Sequence, residues 1–374
     1  MKILMISNNY YPYTGGVARS IDVTMKLLRQ AGHEVCLVTY DFTGKTVDEL
    51  DIIRISSLFR FNYRGKIIPM CFGSQRIIEQ CVKTFKPDLI HVHHPFALGI
   101  FGLRIAQKYK IPVVFTHHTL YENYIHYLPC GHYIAKKILP YYMRWFYKQL
   151  QGIIAPSLIV MHQVQSQTNV PCHIIPSSID PIYIQKNNEK KFDNSRSLFL
   201  MTASRLAPEK NIDELLHACS LLTIPYQLKI FGDGYIRSYL EDRAYNYYNL
   251  SNTVQFMGEL NREQLAQAYA QADIFIFASR SETQGLVIGE AMASGTPVVA
   301  FRGSGVEDAL QHGGGILVDN AKEMANAIIE WHNSRTLFKK HADEAYINAQ
   351  FFYPSQCISK LIQFYELTIK HNNF

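Results

Sequence analysis

The sequence predicts an α/β protein of two doubly wound parallel-sheet domains facing a central cleft. Three observations carry that expectation. Short Ile/Val/Leu-rich runs alternate with helical patterns throughout; the rhythm halts at the polar stretch Ile184–Ser197 and then restarts; and 374 residues suit two domains, with three as the outer limit.

Met1–Ser7 reads as a continuous buried strand, and a loop holding Gly15 and Gly16 leads into a helical pattern over Ser20–Ala31. Gly32 ends that helix, and Glu34–Thr39 is the second strand. Leu89–His93 and Val113–His117 repeat the strand pattern, with shorter strands at Ile153–Ala155 and Ile174–Pro176. Runs this apolar need cover on both faces, which a parallel sheet between helices supplies. Beyond the polar connection come the strand Leu198–Thr202, a helix over Ile212–Leu222, the strand Gln227–Phe231 and the turn Gly232–Asp233–Gly234. Strands Thr253–Phe256, Ile274–Ala278 and Pro297–Phe301 then alternate with helices over Asn261–Gln271 and Gly285–Ser294. The expected domains are 1–180 and 181–354, with ligands bound beyond the carboxyl ends of the strands.

Composition narrows the class. Hydrophobic residues make up 48% and charged residues 18%, which excludes disorder and collagen as overall descriptions. No window approaches the roughly 18 unbroken apolar residues of a spanning helix, and the first apolar run is too short for a signal peptide. The expected location is therefore the cytosol, unless a membrane surface draws the protein to it. The seven cysteines are scattered and never spaced as CxxC, against a disulfide framework or a zinc ribbon. Residues 1–180 hold 19 Lys and Arg against 10 Asp and Glu, so the first half carries +9 of a net +6 and the second −3. The asymmetry reads as a surface for an anionic partner, nucleic acid or anionic lipid, or as a merely basic solvated face. No nucleic-acid recognition motif accompanies it.

The most specific stretch is Ala272–Ala300. A strand ends at Ser279, a polar loop carries Glu282, and a helix beginning at Gly285 carries Glu290. Free amides at Gly285 and Leu286 favour an anion such as a pyrophosphate. Two carboxylates beside an anion suit hydroxyl partners, Glu282 on a sugar and Glu290 on a ribose. The plainer alternative makes Glu282 a solvated loop charge and Glu290 a helix-surface residue. Upstream, in ASRLAPEKN, Arg205 and Lys210 follow a buried strand and can neutralise a diphosphate, or form an ordinary surface pair.

Together, RLAPEKN after a strand, GDG after the next, and SETQGLVIGEAMASGTPVVA with glutamates separated by seven residues resemble the GT-B glycosyltransferases of family 4. These are retaining enzymes that use nucleotide-sugar donors, and the resemblance spans essentially the whole chain. It implies donor-phosphate contacts from Arg205 and Lys210, a sugar contact from Glu282, a ribose contact from Glu290, and donor-loop roles for Gly232, Gly285 and Leu286. It also implies a final helix near Ser355–Lys370 that crosses back to the first domain. No cofactor is implied; the nucleoside diphosphate hexose, UDP-glucose at the family level, is a co-substrate.

In the first domain, Gly15 and Gly16 would let amides approach a phosphate or the acceptor, or simply make a tight strand–helix turn. His117 and His118 end a strand, and the family's histidine before a threonine maps to His118; alternation sends His117 to the other face. His91, His93 and His94 lie near in sequence, but no HExxH, Cys/His spacing or DxD supports a metal, and none is expected. The wording HTLYENYIHY looks like the diacylglycerol glucosyltransferases of family 4, which implies acceptor contacts from Tyr121, Tyr124 and His126. The following segment, Ile134–Leu150, mixes Lys136, Lys137, Arg144 and Lys148 with Trp145, Phe146 and tyrosines. It suits a lipid headgroup layer, or packs as an aromatic helix on the core, and Pro140 should break or kink it.

The combined expectation is transfer of a hexose to a lipid hydroxyl such as diacylglycerol, with retention and front-side departure of the diphosphate, on the cytoplasmic face of a membrane to which the protein binds reversibly. The alternatives are a polysaccharide, lipopolysaccharide-core or phosphoinositide acceptor, or a non-catalytic nucleotide-sugar-binding protein.

Overall fold

The computed structural model describes residues 1–12, 15–42, 51–56, 59–63, 66–70, 73–122, 132–185 and 196–372. Tyr13, Tyr124, His126 and most of the polar connection after Ile184 lie outside the described residues. The chain divides into two compact units, Met1–Ser178 with Ser355–Phe374, and Ile179–Pro354.

The first unit begins β1 (Lys2–Ser7), α1 (Gly16–Gln30), β2 (Glu34–Tyr40), β3 (Ile52–Ile55), β4 (Phe59–Tyr63), β5 (Lys66–Met70) and α2 (Ser74–Phe85). It continues β6 (Leu89–Val92), α3 (Leu98–Tyr109), β7 (Val113–Thr116), α4 (His132–Tyr147), β8 (Gly152–Ala155), α5 (Leu158–Gln165) and β9 (Cys172–Ile174). Among the described residues its sheet has seven strands, all parallel, in the order β3-β2-β1-β6-β7-β8-β9, with β4 and β5 as a separate antiparallel hairpin. Side chains alternate across β1: Leu4 and Ile6 enter one core, Ile3 and Met5 the other. Both faces are thus apolar, as a parallel sheet requires.

The second unit runs β10 (Leu198–Ala203), α6 (Ile212–Ser220), β11 (Tyr226–Phe231), α7 (Arg237–Asp242), β12 (Val254–Gly258), α8 (Arg262–Gln271) and β13 (Ile274–Phe277). After these come α9 (Leu286–Ala293), β14 (Val298–Phe301), α10 (Ser304–Leu310), β15 (Gly315–Val318), α11 (Ala321–Asn333) and α12 (Arg335–Asn348). Its parallel sheet is ordered β12-β11-β10-β13-β14-β15. Leu198 and Leu200 serve one core and Met201 and Ala203 the other.

Two expectations change. The first helix starts a turn before Ser20, because Ala18 joins Ile21, Met25 and Leu28 on the buried face. Pro140 does not break α4, which runs through it. Met143, Phe146 and Tyr147 anchor the following turns in the core, and the carbonyl that proline deprives of its donor belongs to the exposed Lys136.

The last helix, α13 (Pro354–Asn372), packs on the first unit's sheet through Leu361, Phe364 and Tyr365. Gly152 on β8 makes room for it, since a Cβ there would lie 2.5 Å from the Phe364 ring. Tyr365 Oη meets His91 Nδ1 at 2.6 Å, and His91 Nε2 meets Thr116 Oγ1 at 2.7 Å, so a buried polar chain crosses from α13 over β6 to β7. Burial pushes His91 down to about 3, so the ring is neutral and both its nitrogens are satisfied within the chain. Tyr365→Phe leaves a buried nitrogen unpaired and should lower stability by about 1–3 kcal/mol in urea unfolding; an unchanged midpoint would show that the contact contributes nothing.

Candidate active site

In the second unit the chemistry collects where the strand order reverses. β10 leads outward to β11 and β12, and the chain then returns to β13 on the other side of β10. The loop after β10 carries Arg205, Glu209 and Lys210, and the loop after β13 carries Ser279 and Glu282. Parallel neighbours end side by side, so the two loops touch. Asn211 donates from Nδ2 to the Ala278 carbonyl at 3.1 Å, and Ser279 Oγ donates to the Glu209 carbonyl at 3.2 Å.

The charges pair off. Lys210 Nζ lies 2.5 Å from Glu282 Oε1, both side chains less than one-fifth exposed, and Arg205 Nη2 lies 2.5 Å from Glu209 Oε1. Glu282 and Lys210 thus share one ion pair, and Arg205 is matched to a carboxylate that the motif contains but that sequence reasoning passed over. The chain from Arg205 to Ala207 is not helical, so the spacing of Arg205 and Glu209 gave no signal of the pair. Burial pushes the Glu282 carboxyl up, but the Lys210 charge and hydrogen bond, with Ser279, outweigh it and hold the group below the usual 4.5.

Glycines set the loop's position. A Cβ at Gly232, whose φ is +113°, would lie 2.0 Å from the Ser204 carbonyl oxygen, and one at Gly234 would lie 2.1 Å from that of Leu206. The Gly232 amide donates to the Gly258 carbonyl at 2.8 Å, and the Leu206 amide to the Asp233 carbonyl at 2.9 Å. Gly232 therefore helps to seat the Arg205 loop. Gly285, at φ +72°, caps α9, and Leu286 begins it. The Gly305 amide holds the Glu282 carbonyl at 2.9 Å. Glu290 is only 1% exposed and accepts from Tyr269 Oη at 3.1 Å, which removes the helix-surface alternative. A ribose contact requires this carboxylate to be uncovered.

In the first unit the strand order also reverses, between β1 and β6. His94 sits there and is buried; its Nδ1 accepts from the Asn8 amide at 3.2 Å, so its proton resides on Nε2. Burial pushes His94 down to about 4. Asn8 Nδ2 also donates to the Phe96 carbonyl at 3.2 Å. Sequence reading gave Asn8 no role, and only the strand order exposes it. His118 is half-buried and meets His93, which is buried, at 2.9 Å. His117 points the other way, against Phe115, Tyr121 and Tyr147. Gly15 and Gly16 are both exposed at the start of α1, and a Cβ at Gly16 would meet nothing within 4 Å. Tyr121 is half-buried, edge-on to Phe96.

Helix α4 is two-faced. Tyr133, Ile134, Ile138, Tyr141 and Trp145 are exposed, at 48–72%, among the exposed Lys136, Lys137 and Arg144, with Lys148 just beyond its end. Phe146 departs from the expected headgroup mixture, because it is fully buried with Met143 and Tyr147. The core-packing reading holds for one face, and the other face is exposed. No helix among the described residues is long and apolar enough to cross a membrane.

Two doubly wound units, one with cations and carboxylates gathered at its sheet reversal and the other with a histidine cluster, are the architecture of a GT-B protein. Residues 14–182 match the family model "Glycosyltransferase Family 4" and residues 184–350 "Glycosyl transferases group 1". The chain belongs to this family of GT-B glycosyltransferases. It is 34% identical over 316 residues to the alpha-monoglucosyldiacylglycerol synthase of Streptococcus pneumoniae, covering 80% of this chain and 71% of that one. With the alpha-monoglucosyldiacylglycerol synthase of Acholeplasma laidlawii it shares 27% over 351 residues, 88% and 87% of the two chains. Among solved structures, Anabaena HepE in complex with UDP and glucose superposes with a TM-score of 0.75 at 18% identity, covering 97% of this chain and 98% of that one.

The Glu282 balance is testable. The pair's contribution to stability is complete above the ordinary 4.5 and is lost as pH falls through the depressed folded value. Lys210→Met leaves burial opposed by the Ser279 hydrogen bond alone, so the Glu282 carboxyl should titrate above 4.5 in carbon NMR; a value still below 4.5 would show that Lys210 is not what holds it down.

Proposed function

We propose that this glycosyltransferase moves glucose from UDP-glucose to the free hydroxyl of a membrane diacylglycerol, with retention at the anomeric carbon. The observation that carries the lipid acceptor is the exposed face of α4, where five large apolar or aromatic side chains stand among cations. Aromatic rings settle at the headgroup level, and each cation near an anionic surface contributes about 1 kcal/mol. Lys136, Lys137, Arg144 and Lys148 thus supply roughly 4 kcal/mol of attraction before any apolar burial. The two synthases similar to this chain are named for a glucosyl diacylglycerol product, which supports the same acceptor. The protein accordingly works at the cytoplasmic face of a membrane and leaves it reversibly.

Each role follows from local chemistry. Arg205 and Lys210 take the diphosphate, the first by a planar two-point grip and the second as a compact charge. To do so both must exchange their carboxylate partners for phosphate oxygens, which frees Glu282 to accept from a hexose hydroxyl. His118 hydrogen-bonds the hexose, and the Gly285 and Leu286 amides at the start of α9 meet the nucleotide's negative charge. The acceptor oxygen attacks from the side the diphosphate leaves; the departing phosphate oxygen receives the acceptor's proton, so no protein nucleophile and no metal ion is required.

Purified protein given UDP-glucose and diacylglycerol vesicles should form an α-glucosyl lipid, identified by mass and anomeric coupling; a β-linked product or a water-soluble glycan product would overturn the assignment. Arg205→Ala should lower kcat by about 10²-fold or more without loss of folding. In flotation with anionic vesicles, Lys136→Glu/Lys137→Glu should weaken binding by about 30-fold or more, and unchanged binding would remove α4 from the membrane surface.

A further inference from the structure

Beyond the carboxyl ends of β6 and β7 two imidazoles meet directly. His93 Nδ1 and His118 Nε2 are 2.9 Å apart. His93 is 2% exposed, its ring lies 4.0 Å from that of His91, and its Nε2 is enclosed with no hydrogen-bond partner among the described residues. His93 and His91 share a face because they are two residues apart on an extended chain, whereas His118 lies in a turn in which its amide donates to the Thr116 carbonyl at 3.1 Å.

The contact fixes more than distance. Burial, with the neighbouring histidines, holds both rings well below 6.5, so each carries one proton and one lone pair. Of the two nitrogens that meet, one donates and the other accepts. If His118 donated, the only proton of His93 would sit on Nε2, as an N–H shut inside the protein with no acceptor. In the other arrangement Nε2 keeps a bare lone pair, and protein interiors leave acceptors unpaired more often than N–H groups.

We propose that His93 is a positioning residue for His118: it donates from Nδ1 to His118 Nε2 and thereby obliges His118 to carry its own proton on Nδ1. The inference rests on the reading of His118 as the imidazole that meets the donor hexose. A ring fixed in this way presents an N–H, not a lone pair, to a sugar oxygen. It orients the hexose and cannot also receive the acceptor's proton, which agrees with proton transfer to the leaving phosphate. His93 never touches substrate; it acts through the tautomer and the ring plane of its neighbour.

Long-range nitrogen NMR of the full chain, labelled at histidine, tests the assignment without any turnover. His118 Nε2 should resonate as a bare acceptor and Nδ1 as a protonated nitrogen; protonation of Nε2 would overturn the proposal. His93→Asn keeps an N–H near the lost Nδ1, whereas His93→Leu removes it. The Leu variant should lose at least about tenfold in kcat with little change in the KM for UDP-glucose, and the Asn variant should recover most of that loss. Equal kcat in the two variants would overturn the proposal. Should the Leu variant fail to fold, the Asn spectrum decides, because His118 Nε2 must remain an acceptor there. A wild-type chain inactive with UDP-glucose and diacylglycerol would count against the functional reading alone, and the nitrogen spectrum would still settle the pairing.

Discussion

In the second unit β10 and β13 pair in parallel through Leu200 with Ile274 and Met201 with Phe275, although α6, β11, α7, β12 and α8 intervene in the chain. That pairing is the constraint on which the site depends. It forces two loops distant in sequence to leave the sheet side by side, one bearing Arg205, Glu209 and Lys210 and the other Glu282. Asn211 and Ser279 then fasten one loop to the other. Parallel sheets bury their strands and leave the strand ends as the places where polar groups can gather. The first unit obeys the same rule, with β1 against β6 and His94 held by Asn8.

Two cations on neighbouring loops would repel each other if left alone. Here each has a carboxylate within the chain, so the group is close to neutral. Under the proposed function, anion binding is an exchange of partners rather than the capture of a charge by bare cations. The histidines of the first unit solve the opposite problem. They are neutral because they are buried, and they satisfy one another and nearby hydroxyls instead of gathering a counter-ion.

The alternation of apolar runs and helical patterns made the architecture readable before any coordinates, and Arg205, Lys210, Glu282 and His118 stood in motifs of fixed spacing. Less could be read where a residue's role comes from a neighbour far away in the chain. Glu209 lay in plain view within RLAPEKN, but only the folded loop turns it onto Arg205. His93 looked like one of several histidines until β6 and β7 were set side by side. Gly232 stood in the GDG turn, but nothing in the sequence set it against the Ser204 carbonyl. The return of the final helix to the first domain was expected, but nothing in the sequence set Tyr365 against His91. The segment around Pro140 left two readings open, because a helix has two faces and a linear pattern does not say which one the core takes.

The return of α13 also orders events during synthesis. One face of the first sheet, lined by Ile3, Met5, Val114 and Ile154, is completed by Leu361, Phe364 and Tyr365. Those residues leave the ribosome only after the whole of the second unit has been made. The first unit therefore waits, with α1 on that face but the part under α13 uncovered, while the second unit can already close its own cores. A nascent chain of this design exposes its stickiest surface for the length of one whole domain's translation, and its early handling in the cell must provide for that interval.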